Sequence, residues 1–197
     1  MVGMVKQRTL KSAISSTGIG LHSGQKVLIA FKPAPVNTGV VFVRTDVPHF
    51  KPIRVSADCV VDTRLSTTIG FADSSSRIST VEHVMSALAG LGIDNVLVEI
   101  GGPEVPIMDG SSAPFVFLLQ SAGIQEQVQA KKFIRVKKKI VVKEGDKFAL
   151  LKPYDGFKVV FSIDFDHPFI ASTKQEMTID FSLASFVKEI SRARTFG

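Results

Sequence analysis

From Ile78 to Ala130 the chain runs 53 residues without a lysine or arginine, and within that stretch the apolar spacing changes twice. Val81, Val84, Met85, Leu88 and Leu91 recur at helical intervals, so the spacing predicts a helix over 80–91. Gly90 and Gly92 supply its stop signals. Asn95–Ile100 is almost wholly apolar and reads as a buried strand. A Gly/Pro loop, Gly101–Gly110, leads to a second helical pattern over 113–122, with Pro114 in its first turn and Gly123 closing it. A helix–strand–helix run of this kind needs a sheet to cover. The flanking segments offer one: Val27–Phe31, Val40–Val43 and Leu65–Phe71 read as strands, the first two separated by the turn-rich stretch Pro33–Gly39.

The charge divides the chain. Residues 1–130 hold ten basic and ten acidic side chains, whereas residues 131–197 hold fourteen and eight, so the whole net charge of +6 lies in the last third. The break suggests a boundary near 125–131, with a first domain over 1–128 and a second over 129–197. The polar segment 123–132 reads as the linker. In the second part strands are expected at 133–143, 147–152, 157–165 and about 175–181, with a helix from Ser182–Leu183. Ile134, Val136, Ile140 and Val142 would share one strand face, opposite Arg135, Lys137, Lys139 and Lys143. A faint echo supports duplication: Phe31-Lys32-Pro33 with Gly39-Val40-Val41-Phe42 is matched by Leu151-Lys152-Pro153 with Gly156 and Val159-Val160-Phe161. The fold class expected is α+β, as two similar modules.

Composition removes several function classes. A 45% hydrophobic, 21% charged chain is not a disordered one, and a single Cys excludes a disulfide framework or a multi-Cys zinc module. No uncharged apolar run reaches the ~18 residues of a membrane span, and no apolar segment resembling a secretion signal follows the first residues. A soluble, cytoplasmic setting is the expectation. Basic residues without interleaved aromatics argue against a single-strand nucleic-acid platform. They leave open a solvated face or an anion site.

Residues able to do chemistry are few. Glu82-His83 opens the first helix. One reading is a capping box in which Glu82 reaches back to Ser79. The other is a hydrolytic metal site, with the imidazole as a ligand and the neighbouring carboxylate taking the proton of an attacking water. His22 lies among Gly18, Gly20 and Gly24, and His167 follows Asp164-Phe165-Asp166 at a strand end. Cys59 has no partner cysteine, and no glycine pattern matches a nucleotide loop.

Seven motifs then appear in order: Lys6-Gln7-Arg8-Thr9-Leu10, Gly18-Ile19-Gly20-Leu21-His22-Ser23-Gly24, Ser79-Thr80-Val81-Glu82-His83, Leu91-Gly92-Ile93-Asp94-Asn95, Pro106-Ile107-Met108-Asp109-Gly110-Ser111, Ile163-Asp164-Phe165-Asp166-His167-Pro168 and Ser191-Arg192-Ala193-Arg194-Thr195-Phe196-Gly197. Together they closely resemble the UDP-3-O-acyl-N-acetylglucosamine deacetylase family of lipid A biosynthesis, over essentially the whole chain. The resemblance implies a zinc-dependent amide hydrolase acting on a UDP-linked acyl-sugar, with two similar layered α+β domains and the active site between them. It implies His83 as a Zn2+ ligand, Glu82 as general base and Thr195 as a hydroxyl beside the developing oxyanion. Phe196 would line the sugar site, Asp164 and Phe165 the uridine end, and His22 and Leu65 would lie near the metal and the substrate amide. Ser66 stands where some members carry Cys. Contact with membranes would be peripheral, through the acyl chain, and no nucleic-acid partner is implied.

One departure matters. The family completes its zinc site with a His-x-x-x-Asp helix and adds a catalytic His, all downstream of the segment matching Arg194–Gly197. Four residues after His22, His49, His83 and His167 stand Lys26, Ile53, Ala87 and Ala171, so no substitute exists within the chain. The expectation is a fragment of a longer enzyme, inactive by itself. The competing reading is a non-catalytic module on the same fold that binds a nucleotide-sugar or a nucleic acid.

Overall fold

The structure, a computed structural model, describes residues 5–71 and 76–195. The chain divides into two compact units, residues 132–186 and the remainder of the chain on both sides of them.

The first unit is organised by a five-stranded sheet. Its strands are β2 (Ile14–Ile19), β3 (Lys26–Pro33), β4 (Val40–Arg44), β5 (Ile53–Arg54) and β9 (Val96–Ile100), and they lie in the order β2-β3-β9-β4-β5. β9 is the central strand, antiparallel to β3 and parallel to β4. Register explains the core. Phe31 lies opposite Val98, Val98 opposite Phe42, and Phe42 opposite Ile53, which places one apolar row across four strands. All four residues are at most 1% exposed. On the other face Lys32 reaches Glu99 at 2.6 Å.

Helix α1 (Glu82–Leu91) buries Val84, Ala87, Leu88 and Leu91. This is the stripe expected from a 3.6-residue period. It ends at Gly92, whose φ of +69° gives the left-handed closure that a side chain would disfavour. Helix α2 (Ala113–Ala122) occupies the predicted span, packs against α1 and β2, and meets β3 through an edge-on contact of Phe115 with Phe31 at 6.3 Å. A three-stranded sheet, β6 (Val60–Asp62), β7 (Thr68–Gly70) and β8 (Arg77–Ile78), precedes α1. The strand expected over 65–71 is thus trimmed to Thr68–Gly70.

The segment read as a linker is a strand. β10 (Ile124–Ala130) pairs antiparallel with β1 (Lys6–Leu10). Its polar composition suits an amide network: Asn95 donates to Gln7 and Gln127 side chains at 2.8 and 2.7 Å and accepts the Gly39 N–H at 2.9 Å. Gln127 also donates to the Ala34 carbonyl. Gln127 belongs to this buried pairing, while Gln125 and Gln129 on the same strand are exposed.

The second unit consists of two antiparallel hairpins and short helices. β11 (Ile140–Glu144) pairs with β12 (Lys147–Leu151), and β13 (Lys158–Ser162) with β14 (Glu176–Asp180). The strand expected from 133 begins only at Ile140. The hairpin register ends at Ile140 opposite Leu151, so the alternating residues before it have no partner across the ladder, and Ile134 is 99% exposed. Short helix α3 (Pro168–Ala171) lies between β13 and β14, α4 (Leu183–Ser185) follows β14, and π-helical turns over Phe186–Ile190 carry the chain from α4 into the first unit. The architecture is mixed α+β with several sheets and few helices. Among the described residues no helix is long and apolar enough to cross a membrane.

Candidate functional site

Glu82 and His83 form the first turn of α1. The buried stripe of that helix fixes its rotation, which leaves both side chains half-buried at its margin. No capping box forms. The residue at the cap is Val81, and no side chain bonds there. The Glu82 carboxylate instead accepts the Thr67 N–H at 3.0 Å. Thr67 lies two residues after Leu65, which is 91% exposed and carries a φ of +60°. A branched side chain at positive φ is strained, so the turn before β7 holds Leu65 outward at a conformational cost. Glu82 and the Leu65 turn are therefore joined by one hydrogen bond.

The loop 101–112 ties three other elements to this region. Pro103 accepts the Ser79 N–H and Val105 donates to the Ser79 carbonyl, each within 3.0 Å, just before α1. Ile107 donates to Ile19 at the end of β2, and Gly110 accepts the Thr195 N–H at 2.9 Å. Gly110 has a φ of +82°, and a Cβ there would stand 3.8 Å from Thr195 Cγ2. The segment bearing Thr195 is further held by Ser112, whose hydroxyl donates to the Ser191 carbonyl at 3.1 Å. Arg194 approaches Asp109 at 3.9 Å, largely in solvent, so the pair adds little stability. Burial works to raise the Asp109 carboxyl, but hydrogen bonds from the Ser111 hydroxyl and N–H and the charge of Arg194 more than offset it and hold it below the ordinary carboxylate value.

His22 sits in an exposed turn between β2 and β3. Glu104 anchors that turn. Its carboxylate accepts the His22 N–H at 2.9 Å and the Ser23 N–H at 2.8 Å. The same carboxylate accepts the Thr80 hydroxyl at 3.2 Å. Glu104 is 2% exposed. Burial pushes its carboxyl up, while the bonds from His22, Ser23 and Thr80 pull harder and leave it below its ordinary value. Sequence reasoning did not single it out. No local signal marks it, because the residues that donate to it, His22, Ser23 and Thr80, lie 24 to 82 positions away in the chain.

The structure thus connects Glu82, Leu65, His22 and Thr195 through short hydrogen-bonded links, with His83 beside Glu82. Asp164 and Phe165 belong to the second unit. Asp164 is exposed, and the Phe165 N–H donates to the Gln175 side chain at 2.9 Å. Phe196 lies outside the described residues. Three or more His, Cys, Asp or Glu side chains positioned to hold a metal ion occur nowhere among the described residues. His83 offers one imidazole, and the described residues do not complete a three-ligand zinc site around it.

The family LpxC, UDP-3-O-acyl N-acetylglycosamine deacetylase, matches residues 7–197. The chain belongs to that family. Among LpxC relatives, the UDP-3-O-acyl-N-acetylglucosamine deacetylase of Teredinibacter turnerae is 61% identical over 194 residues, 98% of this chain and 63% of its own length. The protein of the same name from Hahella chejuensis is 61% identical, with 64% of its length covered, and that of Marinobacter nauticus is 59% identical, with 63% covered. The chain therefore spans less than two thirds of the curated LpxC proteins it matches.

Proposed function

We propose that this chain is the N-terminal part of a zinc-dependent amide hydrolase that removes the N-acetyl group of a UDP-3-O-acyl-N-acetylglucosamine, releasing acetate in lipid A biosynthesis. The observation that carries the reading is the match to LpxC over residues 7–197, together with a Glu82 carboxylate held in place beside His83. Two similar layered α+β modules and a cytoplasmic setting belong to the same reading.

The roles follow from chemistry. A bound zinc ion would supply Lewis acidity toward the acetamide carbonyl and toward water. His83 would contribute one ligand, and the remaining ligands would come from sequence that the longer relatives carry and this chain does not span. Glu82 is the general base. Its Oε2 is fixed by the Thr67 N–H, so the carboxylate is oriented before substrate arrives, and proton abstraction needs no side-chain search. Thr195, positioned by the Gly110 carbonyl, would present its hydroxyl to the oxygen on which negative charge develops. Leu65, outward on its strained turn, and Phe196 would contact the acyl-sugar. Asp164 and Phe165 would meet the uridine. The excess of cations after residue 130 suits a diphosphate.

The test is acetate release from the UDP-acyl-sugar by a polypeptide extended to the length of the relatives. Zinc-dependent turnover that disappears in Glu82→Ala is expected. A UDP titration that saturates with no turnover at any metal concentration would favour a non-catalytic nucleotide-sugar module, and salt-sensitive binding to an oligonucleotide instead would favour a nucleic-acid module.

A further inference from the structure

One buried acid has no place in that mechanism. Glu104 sits in Pro103-Glu104-Val105-Pro106, and its charge is met by N–H and O–H donors. Two are consecutive backbone N–H groups of the turn that carries His22. The others are the hydroxyl of Ser23, in the same turn, and the hydroxyl of Thr80, two residues before Glu82. Oε1 is shared between His22 and Thr80, so a single oxygen atom joins the His22 turn to the entrance of α1.

The backbone around this joint is shaped to receive the carboxylate. A Cβ on Gly20 would run into the Glu104 Oε2 and the Ser23 hydroxyl. Thr80 is 2% exposed and has a φ of +59°, a strained conformation for a β-branched residue. A buried hydroxyl whose acceptor was removed would cost more than the bond itself contributes. The strained turn and the His22 turn thus depend on the same carboxylate.

We propose that Glu104 is a positioning residue, a buried carboxylate that locks the Gly20–Gly24 turn to the strained Thr80 turn and so fixes where His22 stands relative to Glu82 and His83. The kinetic part of this inference rests on the proposed deacetylase reading, in which His22 lies near the reacting amide. The locking itself does not depend on that reading.

The test uses Glu104→Gln, which keeps the side-chain volume but turns one acceptor into a donor facing an N–H. Hydrogen exchange on the 197-residue chain is expected to speed up at least about tenfold at the His22 and Ser23 amides, while Leu88 and Leu91 in α1 keep their protection. In the extended polypeptide, kcat is expected to fall about 100-fold with little change in KM, as for a misplaced catalytic neighbour. The loss should vanish in a His22→Ala background, where there is no longer an imidazole to misplace. Unchanged exchange at His22 and Ser23, or a kcat loss that adds fully to that of His22→Ala, would overturn the proposal. Should Glu104→Gln fail to fold, Glu104→Asp, shorter by one methylene but still charged, is expected to show the same exchange increase in milder form. Parent-like exchange in that variant overturns the proposal as well. An extended parent protein without deacetylase activity would remove the function proposed above, and the exchange arm would still decide the role of Glu104.

Discussion

The Glu82 carboxylate accepts its hydrogen bond from the Thr67 N–H, fifteen residues earlier in the chain, and not from the start of its own helix. Sequence alone offered a capping box as the ordinary use of this side chain. The observed bond commits Glu82 to the turn that displays Leu65.

That arrangement predicts the effect of removing the carboxylate. Glu82→Gln in the extended polypeptide should lower kcat by about 100- to 10,000-fold, the range of a lost general base. Metal content, measured by atomic absorption after dialysis, should stay at the parent level, because the assigned ligand is His83. Retention of near-parent turnover would remove Glu82 from its role.

Core packing gives a prediction independent of function. Phe115 is completely buried and meets Phe31 edge-on, so it joins α2 to the sheet. Phe115→Ala should destabilise the first unit by about 3–5 kcal/mol, read from the shift of the urea midpoint. Phe117, on the same helix but 70% exposed, should change stability by less than about 0.5 kcal/mol on the same substitution.

The elements built from apolar periodicity were legible without a structure. Val84, Leu88 and Leu91 announce α1, and Phe115 and Leu119 announce α2, because burial on one face leaves a regular trace in the sequence. β10 left no such trace. Its glutamines look alike until Asn95 and Ala34, which contact Gln127 from distant positions, are placed beside it. Glu104 was hidden for the same reason, since the residues that donate to it lie 24 to 82 positions away. The pattern over 134–139 misled in the other direction: alternation needs a neighbouring strand to become a ladder, and β12 stops at Leu151, opposite Ile140. Glu82-His83 was recognisable as a pair, but not its attachment to Thr67.

Acid should loosen the site before it unfolds the core. Glu104 and Asp109 both titrate below their ordinary values of 4.5 and 3.8, so each stabilises the fold once ionised. Their contribution is complete above about pH 4.5 and is lost as pH falls through the lowered folded values. The stability–pH profile from urea unfolding should therefore drop below pH 4.5. In Glu104→Gln, which has no proton to gain at that position, the drop should be shallower and the plateau lower. An equally steep drop in the variant would show that other carboxylates govern it.

Two glycines beside His22 should respond differently to the same substitution. Gly20→Ala places a methyl group against the Glu104 carboxylate and the Ser23 hydroxyl, and should cost about 1–3 kcal/mol by forcing them apart. Gly24 has open space around it but a φ of +63°, so Gly24→Ala should cost about 1–2 kcal/mol through backbone strain alone. Exchange at the His22 amide separates the two, since only Gly20→Ala should raise it sharply.

The return of residues 187–195 to the first unit sets an order of events during synthesis. The sheet, both helices and the β1–β10 pair are complete once Ala130 has been made, but Thr195 can reach the Gly110 carbonyl only after the whole intervening unit has been translated. At about 5–20 residues per second, the ribosome needs roughly 3–13 s to pass from Lys132 to Thr195. For that interval a nascent chain carries a finished framework with Glu82 and His83 in place, yet lacks the segment that brings the hydroxyl.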